Sequence, residues 1–408
     1  MCSCKSRRNR NEAAKQSEAE PAHRQEQSFL PNYAPNDRNV RTFCSARVAS
    51  TSVRIPPSAL FLVAAAFASD LFPSIGPSIS TVEAIVTVAL VVILYDGGAS
   101  IGWRRFRAAA VPIVSLGILG TFATAGLIAA FAHVVLGLGW LTAGLLGAAI
   151  APTDPAVVFS VLRSGHQIRG RTRTILEGES GANDPVGIAL MLGLIAFATH
   201  ADASFWIVVR VLCEQVAIGL VVGLAGGFLE RRLLRVGWLR TLVLVAFVYV
   251  VADFAHGSGF LAVFVMGLVV GDIEAPSQSL QDRLASAAEI VAFVALGLTV
   301  QISGIGIDRW AEGLALAAFV MLIARPAVLG ALLAPVRLHR GERLFVIWGG
   351  LKGAVPILLA AFAVTHHVHD AARIYETVFV VVLASVVVQG GTIPAAARRL
   401  TRPAERAG

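Results

Sequence analysis

The chain has 408 residues, of which 56% are hydrophobic and only 15% charged, with a mean hydropathy of +0.72. A soluble domain carries about 45–50% apolar and about 25% charged residues, so this chain has too little charge to clothe a water-soluble globule. Four scattered cysteines (Cys2, Cys4, Cys44, Cys213) exclude a disulfide scaffold or a cysteine-rich zinc site. The net charge of +8 is no nucleic-acid signature, because residues 1–50 alone hold nine Lys/Arg against five Asp/Glu, in a polar stretch. Composition describes an all-α polytopic membrane protein with a basic tail, its partners a lipid bilayer and not nucleic acid.

Residues 1–56 contain no apolar run long enough to cross a bilayer and are rich in Arg, Asn, Glu, Gln and Ser, which predicts a disordered tail. No apolar core follows a charged start there, so a signal peptide is not expected. From residue 57 onward apolar runs recur with short breaks. A span takes about 20 residues, and the runs predict twelve helices near 57–72, 82–99, 108–135, 138–163, 174–199, 204–230, 237–255, 258–273, 284–302, 310–334, 344–365 and 374–397. Residues 398–408 form a short closing tail. The arginines sort by side. Breaks after even-numbered segments carry clusters such as Arg104/Arg105/Arg107, Arg231/Arg232/Arg235 and Arg337/Arg340/Arg343, while those after odd-numbered segments hold little beyond Arg309 and Arg373 at their edges. Positive charge favours the cytoplasmic side, so both termini are expected in the cytoplasm, as twelve spans require. The preference for Arg over Lys and the abundance of Ala fit a GC-rich bacterial genome, and hence a bacterial inner membrane.

A charge at mid-bilayer costs at least about 2.5–3.5 kcal/mol on insertion scales, so each one is a functional hypothesis. Asp96 lies in the second segment, Thr153-Asp154-Pro155 interrupts the fourth, Glu177 to Pro185 (EGESGANDP) opens the fifth, Arg325-Pro326 lies in the tenth, and GLKGAVP (350–356) breaks the eleventh. Proline removes a backbone donor and glycine loosens the turn, so the fourth and eleventh segments should unwind mid-membrane. Two interrupted helices in corresponding places predict an inverted-repeat transporter with its ion site at the crossing. Segments 3–5 and 10–12 would be the repeats. Asp154 and Lys352 (the last lysine after Lys15) are suited to offset the partial charges of the half-helix ends.

On the fifth segment Ser180 and Asp184 stand four residues apart, as do Glu179 and Asn183, which puts them on one polar face. A hard alkali cation needs several oxygens, and Asp184, Asn183, Ser180, Thr153 and Asp154 supply them. Asp184 is the expected carboxylate that alternately holds a proton or a cation. Glu179 is expected to pair with Arg325 or Lys352 as a structural ion pair, since an unpaired buried charge is far costlier. Asp96 is a further candidate. No cofactor is expected, and the only metal is the transported K+ or Na+. A reading of another class is an intramembrane serine protease, because residues 178–181 read GESG. It needs a histidine at membrane depth, whereas His133, His200 and His256 lie near predicted span ends.

From Val88 to about Leu400 the chain resembles the monovalent cation:proton antiporters of the NhaP/NHE type (CPA1), in particular their potassium/proton branch. The matching segments are ILYDGG (93–98), GAAIAPTDPAVVFSVL (147–162), LEGESGANDPVGIAL (176–190), ARPAVL (324–329), GGLKGAVPILLA (349–360) and SVVVQGGTIP (385–394). The resemblance implies electroneutral exchange of one cation for one proton, in a homodimer with an elevator-like motion. It puts the family's Asn-Asp pair on Asn183 and Asp184, its Thr-Asp pair on Thr153 and Asp154, and its upstream Glu and Ser on Glu179 and Ser180. Two features depart from the pattern. Family members usually have thirteen spans, and residues 55–73 look like their second, which leaves a transport-inactive remnant as a third reading. Lys352 stands where the family often has Arg.

Overall fold

The computed structural model describes residues 57–72, 76–154, 168, 170–199, 205–233, 238–272 and 278–401. The tail predicted at 1–56, residues 402–408 of the tail predicted at 398–408, and the second half of the fourth segment lie outside the described residues. Among those described there is no strand. The helices are α1 (Pro57–Leu71), α2 (Ile79–Ala108), α3 (Ala110–Val134), α4 (Trp140–Ile150), α5 (Arg171–Thr199), α6 (Phe205–Leu233) and α7 (Trp238–Phe254). They continue with α8 (Gly259–Val270), α9 (Gln278–Gly297), α10 (Ile307–Leu332), α11 (Arg340–Trp348), α12 (Ala354–Thr365) and α13 (Ala371–Leu400). Each of the twelve predicted segments has its helix. The last runs three residues past its predicted end and takes in Arg398 and Arg399.

The expected breaks fall at the glycines and prolines. In the fourth segment α4 stops at Ile150 and residues 152–154 are not helical; in the eleventh, α11 stops at Trp348 and α12 begins at Ala354. Gly102 marks a different break, inside α2, where its φ of +71° is a left-handed value that glycine alone adopts freely. The carboxylate of Asp272 accepts the N–H of Arg104 at 3.1 and 3.2 Å, capping the new turn. A Cβ at position 102 would stand 2.7 Å from that carboxylate.

Lipid tails are as apolar as leucine, so helices in a bilayer associate through close backbone approach and small residues. This chain uses that device between α2 and α8. A Cβ at Gly98 would lie 2.3 Å from the Phe264 carbonyl oxygen, and one at Gly267 would lie 2.3 Å from that of Tyr95. α8 packs in turn on α6 and α7, and α9 on α1 and α2. The other assembly gathers α3, α4, α5, α10, α12 and α13. Three helices here contain a π turn: Ser115–Gly120 in α3, Val320–Ala324 in α10 and Val386–Gly390 in α13. Such turns persist mostly where a function keeps them. Large apolar side chains such as Trp206, Val221 and Phe254 point outward, as a lipid-facing surface requires.

Candidate functional site

The two unwound segments meet. The backbone N–H of Asp154 donates to the carbonyl of Leu351 at 2.8 Å, so one main chain crosses the other in direct contact. Lys352, 2% exposed, reaches across the crossing and donates from Nζ to the carbonyls of Ala151 (2.9 Å) and Pro152 (3.0 Å). Those are carbonyls at the C-terminal end of α4, where a helix presents partial negative charge. Reciprocally, the Asp154 carboxylate lies against Gly353, the N-cap of α12, where a Cβ would stand 2.0 Å from Oδ2. Each half-helix end therefore faces a charge of opposite sign from the other strand.

α5 runs past this crossing. Gly187 lets it approach, since a Cβ there would meet the Pro152 ring at 2.3 Å. Pro185 has no N–H to give, which leaves the Gly181 carbonyl without its helical donor. Asp184 is 5% exposed, and its Oδ1 has no hydrogen-bond partner among the described residues. Its charged neighbours are Asp154 and Lys352. Asn183 donates from Nδ2 to the Thr153 hydroxyl at 2.8 Å while its Oδ1 faces the Thr153 N–H at 3.4 Å. Ser180 donates its hydroxyl to the Thr153 carbonyl.

The residues expected at the site, Asp184, Asn183, Ser180, Thr153 and Asp154, thus come together, with a division of labour that the residue types did not reveal. Asn183 and Ser180 clasp Thr153 and so join α5 to the unwound segment of α4. The open carboxylate oxygen belongs to Asp184. Lys352 corrects an expectation: it is not a member of the ion pair, because its ammonium is taken by the carbonyls of Ala151 and Pro152. The partner of Glu179 is Arg325, joined at 2.8 Å (Nη1 to Oε1) and 3.2 Å (Nη2 to Oε2). Arg325 also donates to the carbonyls of Ile347 (2.8 Å) and Val346 (3.2 Å) at the end of α11. Asp96 lies half-buried on α2 and is not among the charged neighbours of Asp184.

Sequence reasoning missed three arrangements, two of them buried and one half-buried. Tyr95, inside the ILYDGG motif, donates its hydroxyl to Glu230 at 2.6 Å. Glu312 binds Arg309 at 2.7 Å and also Arg373, 61 residues away. Ser385 and Gln389, both in SVVVQGGTIP, bind the unwound segment of α11–α12. The histidine that a protease reading needs is not beside Ser180 in any hydrogen bond described: His133 instead engages the Leu138 carbonyl at 2.7 Å and stacks on Trp140.

Residues 40–399 match the family described as sodium/hydrogen exchanger, transmembrane. The K(+)/H(+) antiporter NhaP of Alkalimonas amylolytica is 39% identical over 328 residues, covering 78% of this chain and 57% of that one. The K(+)/H(+) antiporter NhaP2 of Shewanella sp. (strain ANA-3) is 33% identical over 365 residues, covering 86% and 63%. The Na(+)/H(+) antiporter ApNhaP of Aphanothece halophytica is 26% identical over 346 residues, covering 80% and 66%. The chain thus spans 57% to 66% of the length of these relatives. Among solved structures, the sodium proton antiporter MjNhaP1 from Methanocaldococcus jannaschii superposes with a TM-score of 0.73 at 23% identity, over 86% of this chain and 96% of that one. The match is one of fold.

Proposed function

The chain belongs to the sodium/hydrogen exchanger family, and from that premise we propose that it exchanges a monovalent cation for a proton across a bacterial inner membrane by alternating access. The observation that carries the reading is the buried Asp184, with one carboxylate oxygen unpartnered among the described residues, beside the crossing of two broken helices. A lone buried carboxylate needs a positive partner, and either a proton or an alkali cation satisfies it. Asp154 and Lys352 carry opposite charges that cancel and are engaged at the half-helix ends. One carboxylate therefore carries one cation or one proton, and the exchange is electroneutral.

K+ is the proposed cargo over Na+, a preference supported by the ESGxNDP likeness and by relatives at 39% and 33% identity that are named K(+)/H(+) antiporters. The working unit is a homodimer with both termini in the cytoplasm, and the reaction is transport, not hydrolysis. In support, the hydroxyl hydrogen of Ser180 is donated to the Thr153 carbonyl, and among the described residues no histidine is hydrogen-bonded to it. The test is proton flux. Everted vesicles carrying an acid interior should lose their pH gradient on addition of K+, less so on addition of Na+, and Asp184→Asn should abolish the response. Exchange retained in that variant would overturn the assignment of Asp184, and a larger Na+ response would overturn the cargo.

A further inference from the structure

The unwinding of residues 349–353 leaves main-chain groups that a continuous helix would have paired, and in a bilayer each unpaired group costs several kcal/mol. Several of these groups go to partners already described: the Ile347 and Val346 carbonyls to Arg325, and the Leu351 carbonyl to the N–H of Asp154. The two at the ends of the break go to α13. The N–H of Lys352 donates to Ser385 Oγ at 2.9 Å, and Gln389 Nε2 donates to the Trp348 carbonyl at 2.9 Å. Between them the Ser385 hydroxyl donates to Gln389 Oε1 at 2.6 Å. Ser385 and Gln389 are each 1% exposed.

The directions in this chain are fixed by chemistry. A carbonyl only accepts, so the amide nitrogen of Gln389 must face Trp348 and its oxygen must face Ser385. An amide oxygen only accepts, so Ser385 supplies the hydrogen to Gln389 while a lone pair of its hydroxyl accepts from the N–H of Lys352. Several helical hydroxyls in this protein turn back on their own helix, among them Thr121 to Gly117 (2.6 Å) and Thr365 to Ala361 (3.2 Å). Ser385 instead spends its hydrogen on a side chain that ties the far end of the break. Gln389 itself sits in the π turn Val386–Gly390.

We propose that Ser385 and Gln389 are positioning residues for exchange: together they hold the break between Trp348 and Lys352 in the shape that keeps the Lys352 ammonium on the carbonyl end of α4, beside Asp184. They touch neither cation nor proton and act through Lys352. This inference rests on the exchange reading above. It makes a specific demand at position 389, namely an acceptor toward Ser385 and a donor toward Trp348. A glutamic acid meets that demand only when protonated; as a carboxylate it sets two oxygens against each other.

The experiment compares Gln389→Glu, Gln389→Leu and Ser385→Ala with the native chain in reconstituted vesicles, normalised to inserted protein, with K+ as the probe. Native exchange is measured first, and its absence would refute the exchange reading. Given native exchange, Gln389→Glu should fall about tenfold or more at alkaline pH, as loss of one buried donor predicts. Its activity relative to the native chain at the same pH should then climb as pH falls. Gln389→Leu should stay low at every pH, and Ser385→Ala, which deletes one oxygen atom, should raise the KM for K+. A Gln389→Glu ratio flat across pH with a native KM in Ser385→Ala would overturn this inference alone. If Gln389→Glu does not insert, Ser385→Ala decides by its KM.

Discussion

The ion pair of Glu179 with Arg325 gives the most demanding test of how the two repeats are joined. Both side chains are nearly inaccessible, at 3% and 5%, and the guanidinium makes two bonds to the carboxylate and two to the carbonyls of α11. Removing one member of a buried pair strands the other, at a cost of about 3–5 kcal/mol. At about 2 °C per kcal/mol for a chain of more than 150 residues, Glu179→Ala should lower the melting temperature by about 6–10 °C. Arg325→Met should lower it further, because the carbonyls of Ile347 and Val346 also lose their donor. The double variant Glu179→Ala with Arg325→Met should then lose less than the two single changes together, with a coupling of about 2 kcal/mol, since residues that share a network are not additive. The assay is thermal unfolding in nanodiscs at one fixed scan rate, because the melting of large membrane proteins is rate-governed. Unchanged melting in Glu179→Ala, or strict additivity in the double variant, would refute the reasoning.

Further outcomes follow at the crossing. Gly353→Ala would drive a methyl group into the Asp154 carboxylate, so exchange should fall at least about tenfold. Gly391→Ala has open space around its Cβ and should melt at the native temperature or above. Lys352→Met strands the carbonyls of Ala151 and Pro152, at about 1–3 kcal/mol each, and should abolish exchange. Lys352→Arg keeps a cation with donors and should retain exchange in the vesicle assay. Thr153→Val removes the acceptor of Asn183 Nδ2 and should raise the KM for K+, whereas Thr153→Ser should stay near native.

Much of the fold was legible because the bilayer simplifies the code. Apolar runs, arginine clusters and prolines located the described helices and the two crossing breaks, though not the one at Gly102, and Pro152, Gly350 and Gly353 marked where backbone unwinds. The polar face of α5 was legible too, since Ser180, Asn183 and Asp184 recur at helical spacing. What residue types did not reveal was how each side chain spends its hydrogen bonds. Lys352 is equally suited to a carboxylate or to helix carbonyls, and only the register of α4 against the break after α11 decides for the carbonyls. Gln389 and Tyr95 stood inside quoted motifs, yet their partners Trp348 and Glu230 lie 41 and 135 residues away. Arg309 and Arg373 read as charges at the edges of breaks, because their pairing with Glu312 is made by α10 packing on α13, which no local pattern announces.

Competition between a cation and a proton for Asp184 is the centre of the proposal, and proton release on binding measures it without any transport step. Purified protein in a weakly buffered solution, titrated with K+ in a calorimeter in buffers of different ionisation enthalpy, should release a proton for each cation bound. Asp184→Asn should bind no K+ and release nothing. Cation binding without proton release, or unchanged release in Asp184→Asn, would contradict it.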